Sequence, residues 1–464
     1  MINFFRSSSI AGTILLALLF LAVRLPAEWL NIHILPTEIK HLALAEKIAQ
    51  GNWLYVDIWD NTAPLSAFVY AILYLLFGKT LWVHHLLAGV LVFLQAIQWN
   101  FWLIRTKMYQ ERNQIPAIVY LLLASLWTDC YALSPELMAN TFLIAALGNT
   151  LLHLNDQQTN EKPFEIGVYL GVATMFHFPI IFILFGIIIS FLLFSGTKFR
   201  EYVLLCFGLV LPFLLLGIAF YFKDSFDVFV DFFVWSGFKL PKNYTLSFLH
   251  YAVLFFTPTI LVLFALLALL QSVGFVNYQL RCQQTMLIIL FFSLGGIFIA
   301  SEIAIYTSAI LWCSTSFFIA HLFLLFRRKF LRNFVFFSFV LISLGINYVY
   351  LLRLVPKEVE QFLPYPAGLS MPAFKNKKIW VLDKKWEYYL YNQAASPYFH
   401  WDLSKKYLQK VDYYDIQAEI YERLSQNAPE IIIGHQPTIE AIFKRLPTFA
   451  KQYRLKENYW EKID

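Results

Sequence analysis

The hydrophobic positions of this chain form long unbroken runs instead of alternating ones. Apolar stretches of about 18 residues, enough to cross a hydrocarbon core ~30 Å thick, recur between residues 10 and 352. They predict membrane-spanning helices near 10–25, 83–104, 115–128, 138–154, 165–177, 179–195, 201–221, 251–271, 286–301, 308–326 and 333–352, about eleven in all. Continuous runs exclude the roughly ten-residue alternating strands of an outer-membrane barrel. The stretch 167–194 is too long for one span and short for two. A division is expected at His177-Phe178-Pro179, because proline removes a backbone donor and disfavours helix in the residue before it. Pro64–Phe77 is too short to span and reads as a re-entrant or interfacial helix ending in Gly78-Lys79.

From about Pro356 the pattern changes. The tail is rich in Lys, Glu, Asp and Tyr; Lys378–Leu382 and 430–434 read as short buried strands, and 413–426 and 438–443 carry helical spacing. The alternation predicts a small soluble α/β domain over 356–464, following a membrane domain over 1–355. Neither strand is followed by a glycine-rich phosphate loop, so nothing points to a nucleotide site, and no internal repeat is visible.

Composition agrees with the pattern: the chain is 59% hydrophobic and 14% charged, whereas soluble domains carry ~25% charged residues. The net charge of +6 matters less than its placement. Cations gather at Arg6, at Arg105, Lys107 and Arg112, at Lys198 and Arg200, at Arg281, and at Arg327, Arg328, Lys329 and Arg332, in every second connection. By the positive-inside rule these connections, with Gln110 and Gln157, face the cytoplasm. Asn61, Asn243 and the tail then face outward, with the amino terminus inside. The first run lacks an A-x-A cleavage site and reads as a retained span. Cys130, Cys206, Cys282 and Cys313 are scattered without C-x-x-C pairing and read as packing residues.

Chemistry is expected on the outer side, where the polar loops are longest. In the first outer loop, Ile39, Leu42, Ala43 and Ala49 oppose Glu38, Lys40, Glu46 and Lys47, which predicts an amphipathic helix over 37–50 lying on the membrane surface and stopped by Gly51. An aromatic, acidic turn follows, Tyr55-Val56-Asp57-Ile58-Trp59-Asp60-Asn61.

The loop contains Leu35-Pro36-Thr37-Glu38, a helix ending in AEKIAQG, the text LYVDIWDNTAPL and a helix ending in LLFG. Ala132-Leu133-Ser134-Pro135-Glu136-Leu137-Met138-Ala139-Asn140 then opens the fourth span with an acidic residue. This arrangement resembles the GT-C superfamily of integral-membrane glycosyltransferases, in particular the bacterial branch related to protein mannosyltransferases, the lipid A aminoarabinose transferase and the Rgt-type galacturonosyltransferases. The resemblance implies transfer of a sugar from a polyprenyl-phosphate carrier to a glycan, lipid or protein acceptor at the outer face of a bacterial inner membrane. One departure is that the family usually has Asp-Glu or a lone Asp where this chain has Thr37-Glu38.

Such a reaction needs a carboxylate to take the acceptor hydroxyl's proton and cations for the leaving phosphate. A second carboxylate can stabilise the oxocarbenium-like transition state. Glu38 holds the family's first-loop position and is the first choice for base; the other reading is an acid favoured by the dipole at a helix start. Asp57 and Asp60 compete as candidates, although acids in turns usually hold the backbone and Asp60 could cap the helix at Pro64. Glu136 lies at a membrane boundary, where ionisable groups are costly and often functional, or it merely charges a helix start after Pro135. For substrate binding, Lys239 and Lys242 in the outward loop 223–250 suit a lipid phosphate or simply snorkel, and His177 and Glu302 sit at suitable depth or satisfy bundle partners. His33, His41, His84 and His85 form no H-E-x-x-H set and no acidic cluster has metal-cage spacing, so a divalent cation stays open without support from the sequence, and no other cofactor and no nucleic-acid partner is expected.

A flippase or transporter for a lipid-linked glycan, or a catalytically inactive assembly subunit, is the competing class. A transporter places charges at mid-membrane or pairs broken helices in two halves. Here the acids gather at one face.

Overall fold

Among the described residues before the tail, the long apolar runs are helical. In chain order the helices are α1 (Ile10–Trp29), α2 (Pro36–Ala49), α3 (Pro64–Phe77), α4 (Leu81–Arg105), α5 (Ile115–Ala124), α6 (Pro135–Asn155), α7 (Lys162–Phe176), α8 (Phe182–Phe194), α9 (Phe199–Tyr221), α10 (Phe226–Phe229), α11 (Ser236–Lys239), α12 (Phe248–Leu254), α13 (Phe256–Gln271), α14 (Asn277–Ile299), α15 (Trp312–Leu325) and α16 (Lys329–Leu351). This computed structural model describes residues 5, 10–29, 34–109, 111–155, 161–272, 275–326, 328–351, 374–456 and 459–463. Arg6, His33, Gln110, Gln157, Arg327 and the boundary at Pro356 lie outside the described residues.

Among the described residues, six helices are long and apolar enough to cross a membrane, and a seventh span results if α12 and α13, bent by 61° at their junction, count as one. The protein is an integral membrane protein. The chain forms two compact units: Met1–His33, His84–Ile218 and Lys242–Leu363 make the first, and Ile34–Val83, Ala219–Pro241 and Pro364–Asp464 make the second.

The first unit is the helical bundle. Along α4, Leu86, Val90, Leu94, Ile97 and Phe101 are exposed at helical spacing, whereas Ala88, Val92, Trp99 and Leu103 are fully buried. An apolar row of that length facing outward is stable only against lipid. The buried side carries polar ties. Gln95 donates to the Leu137 carbonyl (2.7 Å), Tyr120 Oη donates to Gln95 Oε1 (2.9 Å), and Asn140 Nδ2 donates to the Ala309 carbonyl (2.6 Å). Such bonds hold helices together where lipid tails offer no hydrophobic drive. Helices α7 and α9 approach until a Cβ on Gly167 would strike the Leu205 carbonyl and one on Gly208 the Phe164 carbonyl. The expected division falls in place: α7 ends at Phe176, His177 is extended (φ −150°, ψ 105°), and a short 3-10 turn over Phe178–Ile181 leads into α8.

The second unit gathers the first outer loop, the 219–241 segment and the tail. Helix α2 starts with Pro36 in its first turn and gives way to Gly51 at φ +93°; α3 starts at Pro64 and ends at Gly78, φ +69°. The reading of α2 as having a solvated charged face needs correction, because Glu38, Lys40, Glu46 and Lys47 are all buried. Packing by α3 and the tail segment around 386–394 covers the face that the spacing assigned to water. Its charges are compensated instead, Glu46 by Lys79 at 2.7 Å and Lys40 by Asp60 at 3.0 Å.

In the first unit, two short strands, β1 (Asn243–Tyr244) and β2 (Glu302–Ile303), pair in parallel. The tail is a mixed five-stranded sheet, ordered β4-β3-β5-β7-β6, from β3 (Lys378–Leu382), β4 (Gln393–Ala394), β5 (Ile431–Gly434), β6 (Tyr453–Lys456) and β7 (Tyr459–Lys462). Helices Tyr414–Gln426 and Gln436–Arg445 bury Ile420, Leu424, Ile439 and Ile442 with Trp380 and Ile432 of the sheet. Strands β4, β6 and β7 and helix Trp401–Leu408 have no counterpart in the sequence reading. β6 and β7 are mostly polar and half-exposed, so they lack the apolar run that marks β3 and β5.

Candidate active site

In the first unit the acid opening α6 is held from several sides. Ser134 Oγ accepts the Leu137 amide (3.2 Å) and also bonds the Glu136 carboxylate, which is only 4% exposed. Glu136 Oε1 lies 3.3 Å from His177 Nδ1, the residue at the break between α7 and α8. Two residues singled out separately in the sequence thus form one buried pair. Arg24 joins this region. Its guanidinium donates to the Tyr131 carbonyl (2.8 Å) and rests over the Tyr131 ring at 4.4 Å; Arg24, Asp129 and Glu136 all act electrostatically on Cys130. The sequence reading passed over Arg24 and Asp129 as candidates. A lone arginine inside an otherwise apolar run was the available signal, since charge in a span is rarely idle.

Glu302 pairs in register with Asn243 across β1 and β2. Lys242 donates its ammonium to the carbonyls of Ile299 and Ala300 at the end of α14. Lys239 belongs to the second unit and is ion-paired with Asp231. Each lysine has its own oxygen partner.

In the second unit Glu38 sits in the first turn of α2, 6% exposed, and Glu38 Oε2 accepts the Leu35 amide at 3.0 Å. A solvated acid at a helix start is thus not its state. Asp57 is exposed and accepts the Trp53 amide at 2.7 Å. Asp60 is fully buried and accepts both the Thr62 amide (2.7 Å) and the Thr62 hydroxyl (2.9 Å). It does not cap α3, whose N-cap is Ala63. The i, i+3 pair therefore diverges, Asp57 to the surface and Asp60 to the interior.

Asp60 stands 3.0 Å from Lys40, which also donates to Asn61 Oδ1 at 3.1 Å. Burial is the largest single influence and works against ionising Asp60, but the Lys40 and His400 charges and the hydrogen bonds from Lys40 and the Thr62 amide together outweigh it and hold the carboxyl below its ordinary range. His400, from the tail, completes the cluster: its amide donates to the Trp59 carbonyl at 3.0 Å, and burial, reinforced by Lys40, pushes the imidazole down to about 4. Lys40, Lys79 and His400 went unnamed as site candidates because their partners come from segments distant in sequence. Among the described residues no three His, Cys, Asp or Glu side chains converge as a metal cage would require.

No family profile matches this chain, and no curated protein matches it in sequence. The likeness is structural. A crystal structure of ArnT from Cupriavidus metallidurans bound to undecaprenyl phosphate is similar over 98% of each chain, with a TM-score of 0.55 and 11% identity. The Archaeoglobus fulgidus oligosaccharyltransferase in complex with Zn and sulfate is 12% identical and matches 95% of this chain and 71% of its own, with a TM-score of 0.45. The same organism's AglB, in complex with an inhibitory peptide and a dolichol-phosphate, matches 96% and 73% at 12% identity and a TM-score of 0.45. The chain has the GT-C fold seen in ArnT, the fold that the first-loop resemblance implies. A likeness this remote in sequence speaks of fold and leaves function to the site.

Proposed function

We propose that this protein is a GT-C-type glycosyltransferase that moves a sugar from a polyprenyl-phosphate carrier to a lipid-linked or cell-surface acceptor on the outer side of a bacterial inner membrane. The reading carries eleven spans, an inside amino terminus and an extracytoplasmic soluble domain over 356–464. The observation that supports it most is a buried acid pair-bonded to a histidine, Glu136 with His177, at the start of a central helix in a fold shared end to end with a transferase that binds undecaprenyl phosphate.

In this proposal Glu38 takes the proton of the acceptor hydroxyl as that oxygen bonds to the anomeric carbon, while the bond from that carbon to the phosphate breaks and polyprenyl phosphate leaves. Glu136, oriented by His177, stabilises the positive charge that develops on the sugar. The departing phosphate needs cationic donors. Lys239 and Lys242 are proposed for it, and exchange of their present oxygen partners for phosphate is part of the proposal.

Envelope glycan profiling of a deletion strain tests the reading. Loss of a terminal sugar from a lipid-linked or surface glycan is the expected result. Build-up of a complete carrier-linked glycan on the inner side would instead identify a flippase.

A further inference from the structure

We infer that the second unit carries a saccharide-binding groove for the acceptor, suited to an uncharged or amino-bearing pyranose and closed to uronic acids. The groove is a cavity of about 430 Å³ whose walls come from the aromatic turn, the 227–232 segment and the tail helix Tyr414–Gln426. That volume lies in the usual range for small-molecule sites, ~300–1,000 Å³.

Its apolar wall is formed by Trp59 and Phe232 with Val56 and Val228, and the buried Tyr55 backs it. Trp59 is gripped on several sides, with ring centroids of Phe232, Tyr398 and Tyr407 at 5.3, 5.0 and 5.0 Å, and its amide donates to the Pro397 carbonyl at 2.7 Å. A half-buried indole fixed this way is a preorganised platform, and the electron-rich ring face attracts the slightly positive C–H face of a sugar. Phe232 lies in a π-helical turn, Val230–Val234, a local widening common at functional sites.

The polar wall decides charge. Asp231 is paired with Lys239, and Glu419 with Arg423, whose guanidinium also donates to the Val56 carbonyl at 3.2 Å. Asp227, exposed on the same wall, leaves the groove with net negative charge. Carboxylates are acceptors only, so they bind sugar hydroxyls or an ammonium and repel a sugar carboxylate.

That the sugar belongs to the acceptor rests on the transferase reading; the groove itself does not. The full-length protein in nanodiscs is titrated with maltotriose, a glucosamine trimer and trigalacturonate, observed by saturation-transfer NMR. The first two bind and the third does not. Asp227→Asn, a surface change that spares the fold, weakens the glucosamine trimer by about 2–5-fold, as for loss of one exposed charge pair. Trp59→Ala weakens both trimers by about tenfold or more. Failure of both trimers to bind, preference for trigalacturonate, or indifference of the glucosamine trimer to Asp227→Asn each overturns the groove. Trimer binding without any sugar transfer in the glycan assay keeps the groove and removes the transferase reading.

Discussion

Glu136 Oε1 and His177 Nδ1 are 3.3 Å apart, and both side chains are nearly closed to solvent. The contact joins the start of α6 to the break between α7 and α8, so the proline that divides one apolar stretch also delivers the acid's partner. A carboxylate in this setting is positioned by packing and can act on charge that forms beside it.

Catalysis is predicted to depend on two acids unequally. Glu38→Gln keeps shape and hydrogen bonding and removes a base; it should lower turnover by roughly 10²–10⁴-fold with carrier binding nearly intact. Glu136→Gln should act in the same direction, less severely. Purified variants with a polyprenyl-phosphate sugar donor check this. Near-normal transfer by Glu38→Gln together with loss in Asp57→Asn or Asp60→Asn would move the base into the aromatic turn.

The buried ion pair between Lys40 and Asp60 gives a second prediction. Lys40→Met strands a fully buried carboxylate and should cost about 3–5 kcal/mol of stability. Adding Asp60→Asn removes the stranded charge, so the double variant should recover a large part of that loss. Denaturant titration of both variants reads the coupling; simple additivity would show that the two charges do not depend on each other.

Stability of the second unit should fall with acid through His400. The folded imidazole is held down to about 4 against an ordinary 6.5, so between those values the unfolded chain binds a proton that the folded one refuses. Stability is therefore complete above pH 6.5 and declines as pH drops toward 4, by about 3 kcal/mol at most. Asp60 has its carboxyl lowered as well, and its contribution is present above its unfolded value of 3.8 and lost only below it. Melting curves across this range should show the decline in the wild type and its flattening in His400→Gln.

Topology is checked by cysteine accessibility in a background lacking Cys206, which is the exposed native cysteine among the described residues. Gln110→Cys, Gln157→Cys and Arg328→Cys should label from the cytoplasm, and Asn61→Cys, Asn243→Cys and Glu422→Cys from outside. A tail reachable only from the cytoplasm would refute the odd span count.

The sequence alone determined the long apolar helices, because burial in lipid demands uninterrupted apolar runs and proline and glycine mark their ends. The break at His177 and the extent of Pro64–Phe77 were legible on that basis, the strand Lys378–Leu382 from its own short apolar run, and the fold shared with ArnT from the resemblance of the first outer loop. Which polar groups meet was decided by tertiary structure. Nothing local tells Lys40 that Asp60 will neutralise it, or Trp59 that Tyr398 and Tyr407 will hold its ring, since these partners are brought together by packing between distant segments. The charged face of α2 reads as solvated for the same reason: a periodicity records which side of a helix is polar, and only the surrounding fold decides whether that side meets water or a countercharge.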